Sequence, residues 1–405
     1  MKRTKQIAAL LIVLIFSFGT ATADSSIFNL DNAIVKAISN SSSIKAQDNS
    51  YEDLRDNSDD TGYNSMNARD LLNLDGRFAY LEQKKDRTFE EQLEYQEYKL
   101  GLGKPMTEEE KLPLLKARDI SPSYMSYYMS INRNTRKLVA NQIESSIYEQ
   151  YNSLMKSKDA VEIQKKLTQN LDKSNQQAQL KFKLGKLSKV NARLVEISYQ
   201  KSKLELAKAQ RKFDMTLINL NKTIGEPLSN KYSSYSSDNM ADIATIKGYE
   251  EYLSSALKNR AEVANAEVGH MLKKMEYDLT KVAYPVVTSL QNKDAKYYLD
   301  EAYNKWEETK IDIEIEITSA YSDLEKKLKS WENADKLYQA AEYKYKEASS
   351  KYSLNMITEK ELTDANISLA QSELQSKNCR RDLWMQQKKL DYAIGIGPGI
   401  KSYGY

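Results

Sequence analysis

Histidine and cysteine, which most often act as transition-metal ligands and activated catalytic groups, are almost absent from this 405-residue chain. The sequence holds one histidine and one cysteine, His270 and Cys379. A metal site or an activated nucleophile needs several such groups held together, and no partner set exists for either residue. The acidic run at residues 108–110 is typical of a helix amino terminus, where carboxylates offset the helix dipole. We therefore expect no enzyme activity, no metal site and no cofactor.

The two singular residues are better explained by packing. We expect His270 to lie at the surface or at the equator of the molecule, because it has no ligand partners. Cys379 falls on an apolar seam of its helix, where a thiol serves as a small packing residue. Tyrosines such as Tyr151, Tyr199 and Tyr321 fall on helix faces and are also predicted to pack.

The amino terminus has the pattern of a cleaved secretory signal at residues 1–23, with a basic start, an apolar run over residues 7–18 and small residues before Asp24. Lys and Arg number 60 against 57 Asp and Glu, and the signal holds three of the basic residues, so the mature chain has no net charge. Nucleic-acid binding needs a basic surface, so we expect no such partner. The signal predicts that the mature chain is exported from the cytoplasm.

The chain contains an internal repeat. Placing residue i over residue i+170 aligns identical residues from Glu144 and Glu314 to Gly225 and Gly395 without a gap. The identical pairs include Ile147 and Ile317, Tyr151 and Tyr321, Leu154 and Leu324, Leu167 and Leu337, Met215 and Met385, and Leu220 and Leu390. A register kept over so long a stretch indicates a duplicated structure of fixed length, for which long helices are the best fit.

The starts of the two halves repeat at a different spacing. Ala37-Ile38-Ser39-Asn40 resembles Ala256-Leu257-Lys258-Asn259, 219 positions later. The first half therefore carries an insertion of 49 residues, which we place at about 48–115, where Gly, Pro and acidic clusters interrupt the periodicity. We predict a first helical repeat over residues 24–230, a linker over 231–247 and a second repeat over 248–405.

Each half is predicted to contain a long helical hairpin. Mostly apolar residues recur every seven positions from Ala192 to Leu220 and again from Leu362 to Leu390, with mostly small residues at the interleaved positions. A second, weaker apolar stripe runs through Ile197, Leu204 and Ile218 and again through Ile367 and Leu374, and it lets each of these helices pack on two sides. The predicted fold class is all-α, with duplicated long antiparallel helical hairpins.

The hairpin tips are recognised by their turn and cap residues. Gly185 and Asn355 are the residue types that best tolerate a left-handed conformation after a helix end. Ser188 and Thr358 are good N-caps for the helix that follows.

In these residues the chain resembles the TolC-like outer-membrane efflux protein family. The resemblance is carried by the paired Ala-x-x-Asn helices, by tips of the form Gly-x-x-Ser at residues 185–188, and by the closing motifs Leu220 to Gly225 and Leu390 to Gly395. It implies a homotrimer whose three chains form a tube of twelve helices. It also implies that the tips contact an adaptor, of the membrane-fusion type, that joins the tube to an inner-membrane transporter. With the signal, the resemblance implies a location in the cell envelope: associated with an outer membrane if the cell has one, otherwise wall-associated or extracellular.

The resemblance gives nine residues at the tips as partner contacts: Gly185, Lys186, Leu187, Ser188, Tyr352, Asn355, Met356, Ile357 and Thr358. Tyr352 stands where some family members have a gate tyrosine, but Asn191 replaces an expected acid and Ile357 an expected basic residue. The alternative is that these residues only turn and cap the hairpins.

The chain departs from the family in the segments where barrel strands are expected. A transmembrane strand needs about 9–11 residues of alternating character. Residues 123–131 and 284–290 are each too short for two strands and a turn, so we expect a divergent, barrel-less member with little or no β-barrel.

Two functional hypotheses remain. The first is an exported duct that acts by oligomeric assembly with an adaptor and a pump. The alternative is a structural or adhesive coiled-coil protein of the cell envelope without transport activity. The sequence identifies no exported substrate for the duct.

Overall fold

The computed structural model describes residues 27–235 and 243–399. The predicted signal at residues 1–23 lies outside this range, as do residues 236–242 of the predicted linker.

Helices dominate the described residues, which confirms the all-α prediction. In chain order they are α1 (Leu30–Asn40), α2 (Ser42–Gln83), α3 (Phe89–Leu102), α4 (Glu108–Leu115), α5 (Ser121–Lys183), α6 (Lys189–Ile224), α7 (Tyr249–Asn259), α8 (Ala261–Ala283), α9 (Leu290–Ser353) and α10 (Glu359–Ile394). A π-helical turn, Lys116–Ile120, joins α4 to α5. Two short strands, β1 (Ile27–Phe28) and β2 (Ser234–Tyr235), pair in parallel.

The helix bounds recur at the spacings found in the sequence. Helices α5 and α9 end at residues 183 and 353, and α6 and α10 both contain 36 residues with starts 170 positions apart. Helices α1 and α7 both contain 11 residues, with starts 219 positions apart. The additional length of the first half lies in α2, which has 42 residues against 23 in α8, and in α3 and α4.

The long helices form one layer in the order α6, α5, α10, α9. Helix α5 packs against both α6 and α10, and α10 also packs against α9. With 63 residues, α5 is about 95 Å long at 1.5 Å per residue. Helices α6 and α9 are therefore the two edges of this layer, and outside the layer α9 also packs against α7 and α8. Among the described residues, no helix has the combination of length and apolar character that crossing a membrane requires.

The core repeats together with the chain. Three identical pairs are completely buried in both halves: Ile147 and Ile317, Leu154 and Leu324, and Leu220 and Leu390. Tyr151 is also fully buried and stacks on Phe28 with ring centroids 5.3 Å apart, which confirms its predicted packing role. Each hairpin thus contains a buried cluster built on the repeated residues, and the first cluster also includes Trp384 and Met385 of α10.

The insertion is more regular than its sequence indicates. Helix α2 runs unbroken through Gly62 and Gly76, although Gly and acidic residues were predicted to interrupt it. Packing explains the difference, because α2 lies along α5 and ends in a small apolar cluster of Phe78, Leu81 and Tyr95 with α3. Tertiary contacts of this kind override the cost of about 1 kcal/mol for a helical glycine.

The two segments with partial strand character have other structures. Residues 123–131 belong to the first turns of α5. Residues 284–289 form the turn between α8 and α9, where the Ser289 hydroxyl accepts a hydrogen bond from the amide of Asn292.

The repeated core gives a test of stability. We expect Leu324→Ala to lower the free energy of unfolding by about 2–5 kcal/mol, because it leaves a cavity at a fully buried site. The matched control is Leu337→Ala on the same helix, where the side chain is exposed, and its effect should stay within about 0.5 kcal/mol. Urea unfolding at low protein concentration measures both, and equal losses would contradict the assignment of Leu324 to the core.

Candidate functional site: the hairpin tips

Both hairpin tips turn as their sequences predict. After α5, Gly185 has a φ of +71°, and after α9 Asn355 has a φ of +59°. The hydroxyl of Ser188 then accepts a hydrogen bond from the amide of Asn191, while Thr358 forms a capping box with Glu361. The residue in the left-handed conformation reverses the chain, and the cap side chain accepts a hydrogen bond from a free backbone amide at the start of the next helix. The conformation of each tip is therefore determined by its own few residues.

The two tips lie side by side and enclose a groove, here called the tip groove, of about 460 Å³. Six of the nine predicted tip residues line it: Lys186, Leu187, Tyr352, Asn355, Ile357 and Thr358. The other three, Gly185, Ser188 and Met356, belong to the turns outside this lining, and Met356 is exposed. The structure therefore brings residues 170 positions apart into one surface.

A polar link holds the two hairpins together inside the tip groove. The Tyr352 hydroxyl accepts a hydrogen bond from Lys181 Nζ at 2.8 Å and donates one to a carboxylate oxygen of Glu359. The ammonium of Lys181 also lies 5.0 Å from the centre of the Tyr352 ring. The link thus joins α5 of the first hairpin to both helices of the second.

The protonation of this link is stable at neutral pH. Burial, and then the hydrogen bond to Glu359, raise the pKa of Tyr352, while the hydrogen bond to Tyr352 raises the pKa of Lys181. For a group whose pKa is raised by folding, the stabilisation is complete below its unfolded pKa and is lost as the pH rises through the folded pKa. The link between Lys181 and Tyr352 should therefore persist at neutral pH and weaken as the pH rises into the strongly alkaline range.

Sequence analysis missed Lys181, Glu359 and Thr363 in this groove. Within the described residues, neither Glu359 Oε1 nor Thr363 Oγ1, both buried atoms, has a hydrogen-bond partner. Two acceptor oxygens are thus available to a donor that enters the groove. A possible signal was the position of Glu359 in the first turn of α10, but only the fold shows what it faces.

His270 and Cys379 lie away from the tips. The imidazole of His270 is half-buried and stacks on Trp306, with ring centroids 5.7 Å apart. Cys379 is a free, half-buried cysteine on α10. In the described part of the chain, no group of three His, Cys, Asp or Glu residues is placed to hold a metal ion.

The tip turn gives a second test. Because Gly185 has a positive φ, we expect Gly185→Ala to lower the free energy of unfolding by about 1–2 kcal/mol even though no atom obstructs the new methyl group. The control is Gly62→Ala inside α2, which also meets open space and should raise that free energy by about 0.5–1 kcal/mol. Thermal unfolding of both variants measures whether each substitution lowers or raises the free energy of unfolding. A stabilising Gly185→Ala would contradict the left-handed turn.

Comparison with known proteins gives a match at the level of structure. No protein-family model and no curated protein matches the sequence. Among solved structures, a membrane protein from Pseudomonas aeruginosa has a TM-score of 0.61 at 11% identity, with 93% of each chain covered.

Two further structures are outer membrane proteins. VceC from Vibrio cholerae has a TM-score of 0.58 at 11% identity, covering 91% of this chain and 96% of that one. The open state of the MtrE outer membrane channel from Neisseria gonorrhoeae has a TM-score of 0.54 at 13% identity, covering 92% and 91%. Identities this low show the fold alone, and the match extends over nearly the whole length of the molecules. The chain has the TolC-like fold.

Proposed function

We propose that the mature chain assembles with copies of itself into a helical tube that serves as a duct in the cell envelope. In this proposal the protein works by assembly and carries out no catalytic chemistry. The observation that supports it most strongly is the different environment of identical residues in the two halves.

Residues that are buried inside the chain have exposed equivalents on the open edges. Met385 of α10 is 6% exposed, whereas the equivalent Met215 of α6 is 58% exposed. Leu167 of α5 is 7% exposed, whereas the equivalent Leu337 of α9 is 66% exposed. The packing of α5 against α10 covers the first member of each pair. Packing of α9 against α6 of a second copy would cover the other member in the same way.

This contact is heterologous, because each copy uses a different edge on each side. Such contacts give a closed ring when the rotation between copies closes, and a filament when it does not. The matching TolC-like fold supports closure at three copies, which makes a ring of twelve long helices.

The tip groove is the proposed surface for an adaptor, which in turn joins the duct to an inner-membrane transporter. It lies at one end of the layer and combines the apolar side chains of Leu187 and Ile357 with the unpartnered oxygens of Glu359 and Thr363. The pattern of residues 1–23 supports export through a cleaved signal, which would deliver the chain to the envelope.

Cross-linking tests the ring. In a Cys379→Ser background, we place cysteines at Asn219 of α6 and Ser319 of α9. These positions correspond to Lys389 and Glu149, which form an ion pair of 2.7 Å between α10 and α5. A short thiol-specific cross-linker should join copies into covalent dimers and trimers, with no larger species on a denaturing gel.

The matched control combines Ser319→Cys with Lys203→Cys. Lys203 lies on another face of α6, so the cross-linker should leave this variant as single chains. A monomer from the first pair would contradict the duct. A ladder that continues beyond three copies would favour the structural or adhesive alternative, because only an open chain of copies gives one.

The tip assignment has its own test. We expect Leu187→Asp and Ile357→Asp to weaken binding of the adaptor at least about tenfold, because a buried contact would have to accommodate an unpaired charge. Lys203→Asp introduces the same side chain on the helix shaft, far from the tips, and should not change binding. Surface plasmon resonance with an adaptor encoded beside this protein measures the affinities, and equal losses in all three variants would remove the tips as the contact.

A further inference from the structure

The contact between α5 and α10, here called the inner junction, is held partly by ion pairs. Lys156 bonds to Asp382, and Arg381 bonds to Asp159 at 2.8 Å. Arg381 and Asp159 are well shielded, with side-chain exposures of 17% and 12%. Opposite charges therefore meet at two successive levels of this junction.

The contact of α9 with α6 of the next copy, here called the outer junction, has the same register but other charges. Moving the inner pairs by 170 positions places Lys326 opposite Lys212, where the inner junction has Lys156 and Asp382. It also places Lys329 opposite Arg211, where the inner junction has Asp159 and Arg381. These two ion pairs are thus replaced by pairs of like charge, whereas the third, between Lys389 and Glu149, is replaced by the neutral Asn219 and Ser319.

Nearby acids offset only part of this charge. Glu325 and Asp214 occupy the positions of Met155 and Trp384 and face the same band of the outer junction. Four cations thus meet two carboxylates. Lys326 has an ion pair with Asp323 on its own helix, but it is exposed on both sides and offsets little.

The imbalance extends along the whole of α6. This helix carries eight basic and three acidic residues, whereas α10 carries six of each. The excess of basic residues at the outer junction extends to the tip. There, the positions equivalent to those of Lys181, Tyr352 and Glu359 hold Lys351, Phe182 and Lys189. The polar link of the tip groove therefore has no counterpart between copies, and two lysines take its charged positions.

Like charges brought together in a contact repel one another more strongly as water is removed, so ring closure carries an electrostatic cost. A multivalent oxyanion removes that cost. A guanidinium binds two of its oxygens at once, and ammonium groups add point charges around it.

We propose that the outer junction is an anion site in which a multivalent oxyanion of the phosphate class bridges Lys326 and Lys329 of one copy to Arg211 and Lys212 of the next. The ring then closes when the anion binds and opens when it leaves. This inference rests on the proposed assembly of the duct.

The test measures assembly of the mature protein by sedimentation at fixed ionic strength. One series contains sodium pyrophosphate and the other sodium chloride alone, because simple screening acts through ionic strength and not through the identity of the anion. Pyrophosphate should increase the association constant at least about tenfold over chloride, as expected for a ligand that binds only the assembled state.

Two variants separate the charges of the junction from general charge effects. Lys212→Asp with Lys329→Asp restores the two opposite-charge pairs of the inner junction and should assemble without pyrophosphate. Lys203→Asp with Lys327→Asp makes the same change of charge on other faces of the same helices and should keep the response to pyrophosphate.

The outcomes distinguish this site from the duct itself. If the wild type forms trimers equally well in both salts, or if the restoring variant responds to pyrophosphate as the wild type does, the ring stands and the anion site is wrong. If the wild type and both variants stay monomeric under every condition, the ring and the site are both wrong. Isothermal titration of pyrophosphate should show binding to the wild type and none to the restoring variant, and equal binding would mean an adventitious ion only.

Discussion

The packing of α5 against α10 is the contact on which the shape of the tip half of the molecule depends. Each hairpin has a buried cluster of its own helices, and among the described residues this junction joins the two hairpins along their shafts. It buries Met155 with Trp384 and Met385, and it pairs Asp159 with Arg381. Because α5 and α10 are held in register here, their ends arrive together and the tip groove forms between them. The groove is thus a consequence of helix length and register, with the Tyr352 link closing it at the end.

Much of this architecture could be predicted from the sequence because its signals are local or periodic. The tips follow from Gly185 and Asn355, whose backbone conformations only a few residue types adopt easily, and from the caps at Ser188 and Thr358. The hairpins follow from the repeat. The link between Lys181 and Tyr352 could not be predicted, because it joins residues 171 positions apart and depends on how two finished hairpins pack. The unbroken course of α2 escaped prediction for the same reason, since contacts with α5 and α3 outweigh its own weak helical pattern.

The sequence was also unable to separate the two copies of one stripe. Ile197 and Leu204 on α6 match Ile367 and Leu374 on α10, and both pairs were predicted to pack. In the structure the α10 pair is half-buried beside α5, while the α6 pair is more than half exposed. The pattern does not show which stripe lies at an edge of the layer, because both halves of the duplicated sequence contain the same apolar stripe. Only the order of helices in the layer assigns one stripe to the chain's own core and leaves the other for a partner.

A duplicated chain therefore makes two junctions of the same register under different constraints. At the inner junction the two helices belong to one chain, so their effective concentration is high and the contact forms readily. The ion pairs Lys156–Asp382 and Asp159–Arg381 add to the stability of that contact. At the outer junction the copies must meet from solution, and the free energy of that contact decides whether the tube exists. At the outer junction Lys212 and Lys329 stand in the positions of Asp382 and Asp159, and the acids Glu325 and Asp214 stand in those of Met155 and Trp384. The register and the apolar contacts of Met215 and Leu337 are kept, while the charges make the strength of the contact dependent on ions. One packing register can thus serve as a permanent joint within the chain and a reversible one between chains.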